Sequence, residues 1–133
     1  MDINDIEKWH FALTEETCNY LLKLVLEGKK KATTSSLWGY EIEGGKIPET
    51  GTGSIITDWN GISKCLVKTT KVRIMPYKDI TFEIAVLEGE DDSLESWRKN
   101  HEKFFKEEGR LLGYEFSEDM PVIFEEFEVV ERY

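Results

Sequence analysis

Ser54-Ile55-Ile56-Thr57-Asp58-Trp59-Asn60-Gly61-Ile62-Ser63-Lys64-Cys65-Leu66-Val67-Lys68-Thr69 reads as two strands around a turn. Asn-Gly tolerates the two left-handed positions of a type I′ turn, whose twist matches that of paired strands. Ser54–Trp59 and Ile62–Thr69 are therefore expected to form a hairpin, and antiparallel pairing follows. Val72–Met75 extends the pairing as far as Pro76. Thr81–Leu87, with Phe82, Ile84 and Val86 on one face, is expected as a further strand. Pro121–Val130 closes the chain as a long strand in which Val122, Phe124 and Phe127 change face across an expected bulge.

Two helices accompany these strands. Residues 14–28 have Thr14 as a candidate N-cap, followed by Glu15 and Glu16 where the helix dipole favours acids. Cys18, Leu21, Leu22 and Val25 follow the spacing of a buried face. Gly28 stands where a left-handed residue ends a helix. The second helix is expected from Asp92 to Glu108, with Asp92 and Glu95 as a capping box and Gly109 as terminator. Its apolar face carries Leu94, Trp97, His101, Phe104 and Phe105. Two helices with five or six mostly antiparallel strands make an α+β fold, expected as a small β-barrel flanked by the two main helices.

The 133 residues contain no repeat or Pro/Ser linker and suit one domain over residues 1–133. Apolar residues at 40% and aromatics at 12% can fill a core, which argues against general disorder. Seventeen Lys and Arg against 27 Asp and Glu leave a net charge of −10. That field excludes a broad nucleic-acid surface and confines any polyanion to a local basic spot. The apolar run Cys18–Leu26 is broken by Asn19 and Lys23 and falls short of the ~20 residues that span a bilayer, so no membrane partner is expected. Acidic residues precede it, unlike a signal peptide. Cys18 and Cys65 lack CxxC spacing and read as buried free thiols in a reducing, cytoplasmic setting.

Chemistry concentrates in Gly28–Ser36, which sets Lys29, Lys30 and Lys31 before the hydroxyls of Thr33, Thr34, Ser35 and Ser36. Lysines after a helix can simply partner its dipole. The hydroxyl run has no such explanation and suits an oxygen-rich or phosphate-bearing ligand. Trp38 and Tyr40 are placed either to stack on a base or to fill core. The acids Glu88–Asp92 suit a helix N-terminus. Glu88 also closes an apolar strand, where desolvation is expected to raise its pKa and suit it to proton transfer. His10 and His101 have no cysteines at zinc spacing, so no metal is expected. His101, on an apolar face, reads as a hydrogen-bonded core residue. A Ser/His/Asp triad, a P-loop and a GxGxxG turn are absent, and no cofactor is expected.

Taken in order, these segments resemble the ASCH domain family of the PUA-like superfamily. Gly28 to Thr33 is similar to its GxKxxT signature, and Pro48, Gly51 and Gly53 to its Pro-x-x-Gly-x-Gly turn, with Asp58 and Gly61 following. Pro76-Tyr77-Lys78-Asp79-Ile80 and Ala85-Val86-Leu87-Glu88-Gly89-Glu90, with Trp97 and His101, resemble its later blocks. They place the chain nearest the longer members carrying EGE, Trp and His. Ser54 and Asp91 depart from the pattern, where an acidic residue and a glycine are frequent.

The resemblance implies a PUA-type barrel with a cleft beside the GxKxxT loop, in a family associated with RNA-related functions. A group of small bacterial members hydrolyses N4-acetylcytidine through a Lys, a Thr three residues later and a downstream Glu. Carried over, the catalytic positions are Lys30, Thr33 and Glu88; the candidate ligand contacts Lys29, Lys31, Thr34, Ser35, Trp38 and Tyr40 come from the residues around them. Thr33 would supply the nucleophile, Lys30 the base and Glu88 the proton for the leaving amine. Lys30 must then fall below its ordinary ~10.4; if it stays charged it becomes an oxyanion or phosphate anchor. The chain must also turn between Lys30 and Thr33, because residues three apart on a straight strand face opposite ways. The alternatives are a non-catalytic RNA or nucleotide binding module and a ribonuclease. A nucleoside or short RNA is the expected partner.

Overall fold

In the computed structural model, which describes residues 6–133, helix α1 spans Glu15–Leu26. Thr14 caps it by accepting the Thr17 N–H, and Cys18, Leu21, Leu22, Leu24 and Val25 are buried. Gly28 then turns the chain back, with φ of +77°. That region costs glycine nothing. The N–H groups of Lys29 and Lys30 both reach the Leu24 carbonyl.

The strands are β1 (Lys8–Trp9), β2 (Ala32–Ser36), β3 (Gly53–Thr57), β4 (Ser63–Pro76) and β5 (Pro121–Arg132). They form one sheet in the order β1-β3-β4-β5-β2. β1 and β3 run parallel; every other neighbouring pair is antiparallel. The α+β architecture is as expected, and the sheet is open rather than closed into a barrel. β1, only two residues long, makes no ladder with the other edge, β2.

β4 runs as one strand through the second half of the hairpin and the Val72–Met75 extension. The Asn60-Gly61 turn is wider than two residues, because the Asp58 carboxylate gathers the N–H groups of Asn60 and Ile62. β5 pairs with β2 without interruption from Val122 to Glu126. Phe124 and Phe127 face opposite ways through their odd spacing, and the expected bulge between them is absent. The irregularities fall instead at Thr70 in β4 and Val130 in β5. α1 covers one face over Ile56, Cys65, Val67 and Phe127. On the other, Val122 and Phe124 pack with Tyr77, Trp97, Phe105 and Met120. Cys18 and Cys65 are buried and free. No described helix is long and apolar enough to cross a membrane.

Residues 81–87 form no strand. Phe82–Ala85 is α3, and Val86–Glu88 is a 3-10 turn. Ala85 and Glu88 turn inward while Phe82 and Val86 stay exposed, so spacing by three decided the buried face. An unforeseen helix, α2, spans Leu37–Glu43, and the Ser36 hydroxyl caps it at the Gly39 N–H. Helix α4 spans Leu94–Leu112 and is capped by Ser93, not by Asp92 and Glu95. Gly109 lies inside it, and Gly113 ends it. A Cβ on Gly109 would sit 2.3 Å from the Tyr114 carbonyl oxygen, so this glycine permits close packing of the returning chain.

Candidate functional site

Lys30 lies where α1 hands the chain to β2. The Lys31 N–H bonds the Leu87 carbonyl, which draws the 3-10 turn carrying Glu88 against the start of the strand. Lys30 Nζ is 3.1 Å from Glu88 Oε1 and 2.5 Å from Glu90 Oε2, and 5.4 Å from the centre of the Phe11 ring. Glu88 Oε2 accepts three more donors: the Thr34 hydroxyl at 2.9 Å, the Trp97 indole N–H at 2.5 Å and His101 Nε2 at 3.0 Å. Lys30 and Glu88 are each 2% exposed.

Burial is the strongest single influence on all four ionisable groups, and it opposes each charge. On Lys30 the two glutamates overcome it and hold the ammonium above the ordinary lysine value. On Glu88, Lys30, His101 and the Trp97 hydrogen bond overcome it and hold the carboxyl well below the usual range. The Glu88 direction corrects the expectation of a raised carboxyl, which lacked these donors, and the Lys30 direction takes the charged one of its two alternatives. Desolvation alone raises a carboxyl, but a buried carboxylate saturated by donors ionises readily. Glu90 goes the other way: burial outweighs Lys30, the Glu88 charge adds to it, and the carboxyl sits above its ordinary value.

His101 is hydrogen-bonded and buried as expected, and it also belongs to the site. Nδ1 lies 2.8 Å from the Trp97 carbonyl and Nε2 3.0 Å from Glu88, so both nitrogens face acceptors. With Glu88 ionised, both must carry hydrogen, and the ring is an imidazolium. Glu88 holds its pKa above the ordinary histidine value against burial.

A pH dependence follows. The His101 contribution to stability is complete below the unfolded value of ~6.5 and fades as pH rises through the raised native value. The Glu88 contribution is present above ~4.3 and fades as pH falls toward its depressed native value. Glu90, raised like His101, adds its own loss from lower pH. Thermal unfolding is therefore expected to show a decline above roughly pH 6.5 that His101→Phe removes. Identical alkaline slopes in the two proteins would contradict the imidazolium.

A cavity of about 480 Å³ opens over this cluster, with Lys30, Thr33, Thr34, Glu88, Glu90 and His101 at its polar end and Phe11, Leu13 and Phe104 among its apolar walls. Lys30 precedes the strand, so it and Thr33 line the same space despite their spacing. Thr34, not Thr33, bonds Glu88. Ser35 and Tyr40, with Thr33 and Thr34, line a second cavity of about 260 Å³. Lys29, Lys31 and Trp38 line neither. Lys29 and Lys31 are exposed, and Trp38 packs edge-on to Tyr114 at 6.2 Å. The three lysines thus form no common patch. Glu90, Phe11 and Phe104 were not anticipated at the site. The signal for Glu90 was Gly89 between two glutamates, a residue free to turn both toward one cation.

Among curated proteins none matches the chain. Solved structures do. An ASCH domain from Lactobacillus crispatus JV V101 superposes with a TM-score of 0.87 at 34% identity, over 96% of this chain and 80% of that one. A protein from Enterococcus faecalis V583 gives 0.90 at 36% identity, over 100% and 81%. A hypothetical protein 24% identical, with a TM-score of 0.57 over 92% and 99%, shares the fold. The ASCH domain model matches residues 7–131, which take in the lysine turn, the Glu88 turn and both edges of the sheet. With that span and these two structures in agreement, the chain belongs to the ASCH domain family and has its PUA-like fold.

Proposed function

We propose that the cavity over Lys30 binds a nucleoside and hydrolyses an N4-acylated cytidine-type amide. The observation that carries this reading is a buried, charged lysine at the polar end of a cavity with aromatic walls. Phe11 and Phe104 offer flat surfaces to a base. Two of the three Lys30 N–H groups serve Glu88 and Glu90, and the third is free for a carbonyl oxygen as its charge develops. Lys30 is thus the oxyanion anchor rather than the base. The Thr33 oxygen bonds the acyl carbon while its proton passes to Glu90, whose raised pKa suits proton exchange. The C–N bond then breaks, and Glu90 returns the proton to the amine. Water repeats the sequence on the acyl-threonine and frees the carboxylate. Glu88 is a positioning residue, because its oxygens are occupied by four donors.

Incubation with N4-acetylcytidine and a short unmodified RNA, following acetate and RNA length together, tests this. Wild type should release acetate, and Thr33→Ala and Glu90→Gln should each lose about 100-fold or more while staying folded. Full activity in either variant removes that residue from the mechanism. Shortened RNA without acetate would move the pocket to ribonuclease chemistry. If neither product forms, the site is a binding module, the reading that the saturation of Glu88 favours. A polyanion ligand would then weaken steeply with added salt.

A further inference from the structure

The second cavity lies against the first, and the two share Phe11, Ala12, Leu13, Thr33, Thr34 and Phe104 in their lining. Ala12, in this shared wall, is the one non-glycine residue among those described with a left-handed backbone, at φ +61°. Strain of that kind persists where the surrounding structure demands it, often at ligand sites.

The chambers differ in charge. The first sets Lys30, Lys103 and His101 against Glu88, Glu90 and Glu107. The second sets Glu7, Glu108 and Glu125 against Lys46, with His10 at hand. Glu125 lies directly opposite Thr33 across the β2–β5 ladder, which sends both side chains out on one face of the sheet. It is 7% exposed, and its Oε2 accepts the Thr69 hydroxyl at 2.7 Å. Oε1 takes no hydrogen bond, and no cation pairs with the carboxylate, among the described residues. That oxygen is open to the cavity, where donors on a ligand can reach it. Its companions in the cavity, Ser35, Tyr40 and Thr52, are hydroxyl-bearing and uncharged.

We propose that this chamber is the ribose subsite of the nucleoside pocket, with Glu125 accepting the sugar hydroxyls and the surrounding carboxylates excluding a phosphate. This rests on the nucleoside reading of the Lys30 chamber. A cis-diol brings two O–H donors to an acceptor that lacks them. A phosphate would bring negative charge into a space holding three carboxylates and one lysine. Free nucleosides are therefore the ligands, in preference to 3′-nucleotides or RNA strands.

Calorimetric titration with cytidine, 2′,3′-dideoxycytidine and cytidine 3′-monophosphate tests the subsite. Wild type should bind cytidine roughly tenfold or more tightly than the 3′-monophosphate. Loss of both sugar hydroxyls should weaken binding several-fold. Glu125→Gln, which keeps an acceptor and removes the charge, should narrow the gap between cytidine and its monophosphate. Equal or tighter binding of the monophosphate, indifference to the missing hydroxyls, or no binding of cytidine would each overturn the proposal. An unchanged gap in the variant would remove Glu125 from it. The wild-type comparisons need no variant to fold. Acetate release is read separately: its absence with the ligand preference intact defeats the hydrolase reading alone, and its presence with equal binding defeats the subsite alone.

Discussion

Glu88→Ala is expected to lower stability by about 3–5 kcal/mol, read as a fall in Tm of roughly 10–20 °C. The reason lies less in the bonds lost than in the groups left behind. Lys30 would keep Glu90, but the His101 imidazolium, the Trp97 indole N–H and the Thr34 hydroxyl would lose their common acceptor in a buried site. Breaking a buried pair from one side strands a charge, whereas replacing both partners with apolar groups does not. Lys30→Met combined with Glu88→Leu should therefore be less destabilised than the sum of the two single variants. A stability loss below about 1 kcal/mol in Glu88→Ala would sink this account, because it would place the group in water rather than in a saturated buried site.

Gly89→Ala should be comparably severe, for a reason of backbone rather than charge. Gly89 holds φ of +72°, and a Cβ there would lie 2.1 Å from the Lys29 carbonyl oxygen and 2.7 Å from its carbon. Neither atom belongs to a side chain that could swing aside. The left-handed backbone alone costs alanine about 1–2 kcal/mol, and the overlap forces the Glu88 turn away from Lys30. We expect a loss of roughly 3 kcal/mol or more, with ligand binding lost as the lysine and its two carboxylates separate. Gly51→Ala is the matched control: φ is +93° and nothing lies within 4 Å of its added Cβ. It should show the conformational cost alone. Equal effects from the two substitutions would mean that the close approach to Lys29 does not hold the site together.

The elements most legible from sequence were those whose determinants are local. Thr14, the spacing from Cys18 to Val25 and Gly28 defined α1, because cap, buried face and terminator lie within a few turns of one another. Asn60-Gly61 located the hairpin for the same reason. Residues 81–87 misled because over seven positions an alternating pattern and a helical one share most of their apolar residues. The final choice went to the face that packs Ala85 and buries Glu88. Similarly, Asp92 and Ser93 are both good caps, and the one beside the first helical turn won.

The candidate site divides along the same line. Sequence alone determined the α+β class and the position of α1 and the hairpin, and the family resemblance pointed to Lys30, Thr33 and Glu88, which line one cavity. Tertiary structure alone decided what state the lysine and glutamate are in. Their charges depend on four donors brought to one carboxylate from the turn before β2, from β2 and from α4, against a burial that opposes every charge present. Sequence spacing records which groups exist. It does not record how many of them converge on one atom, and in a low-dielectric interior that number sets the protonation state.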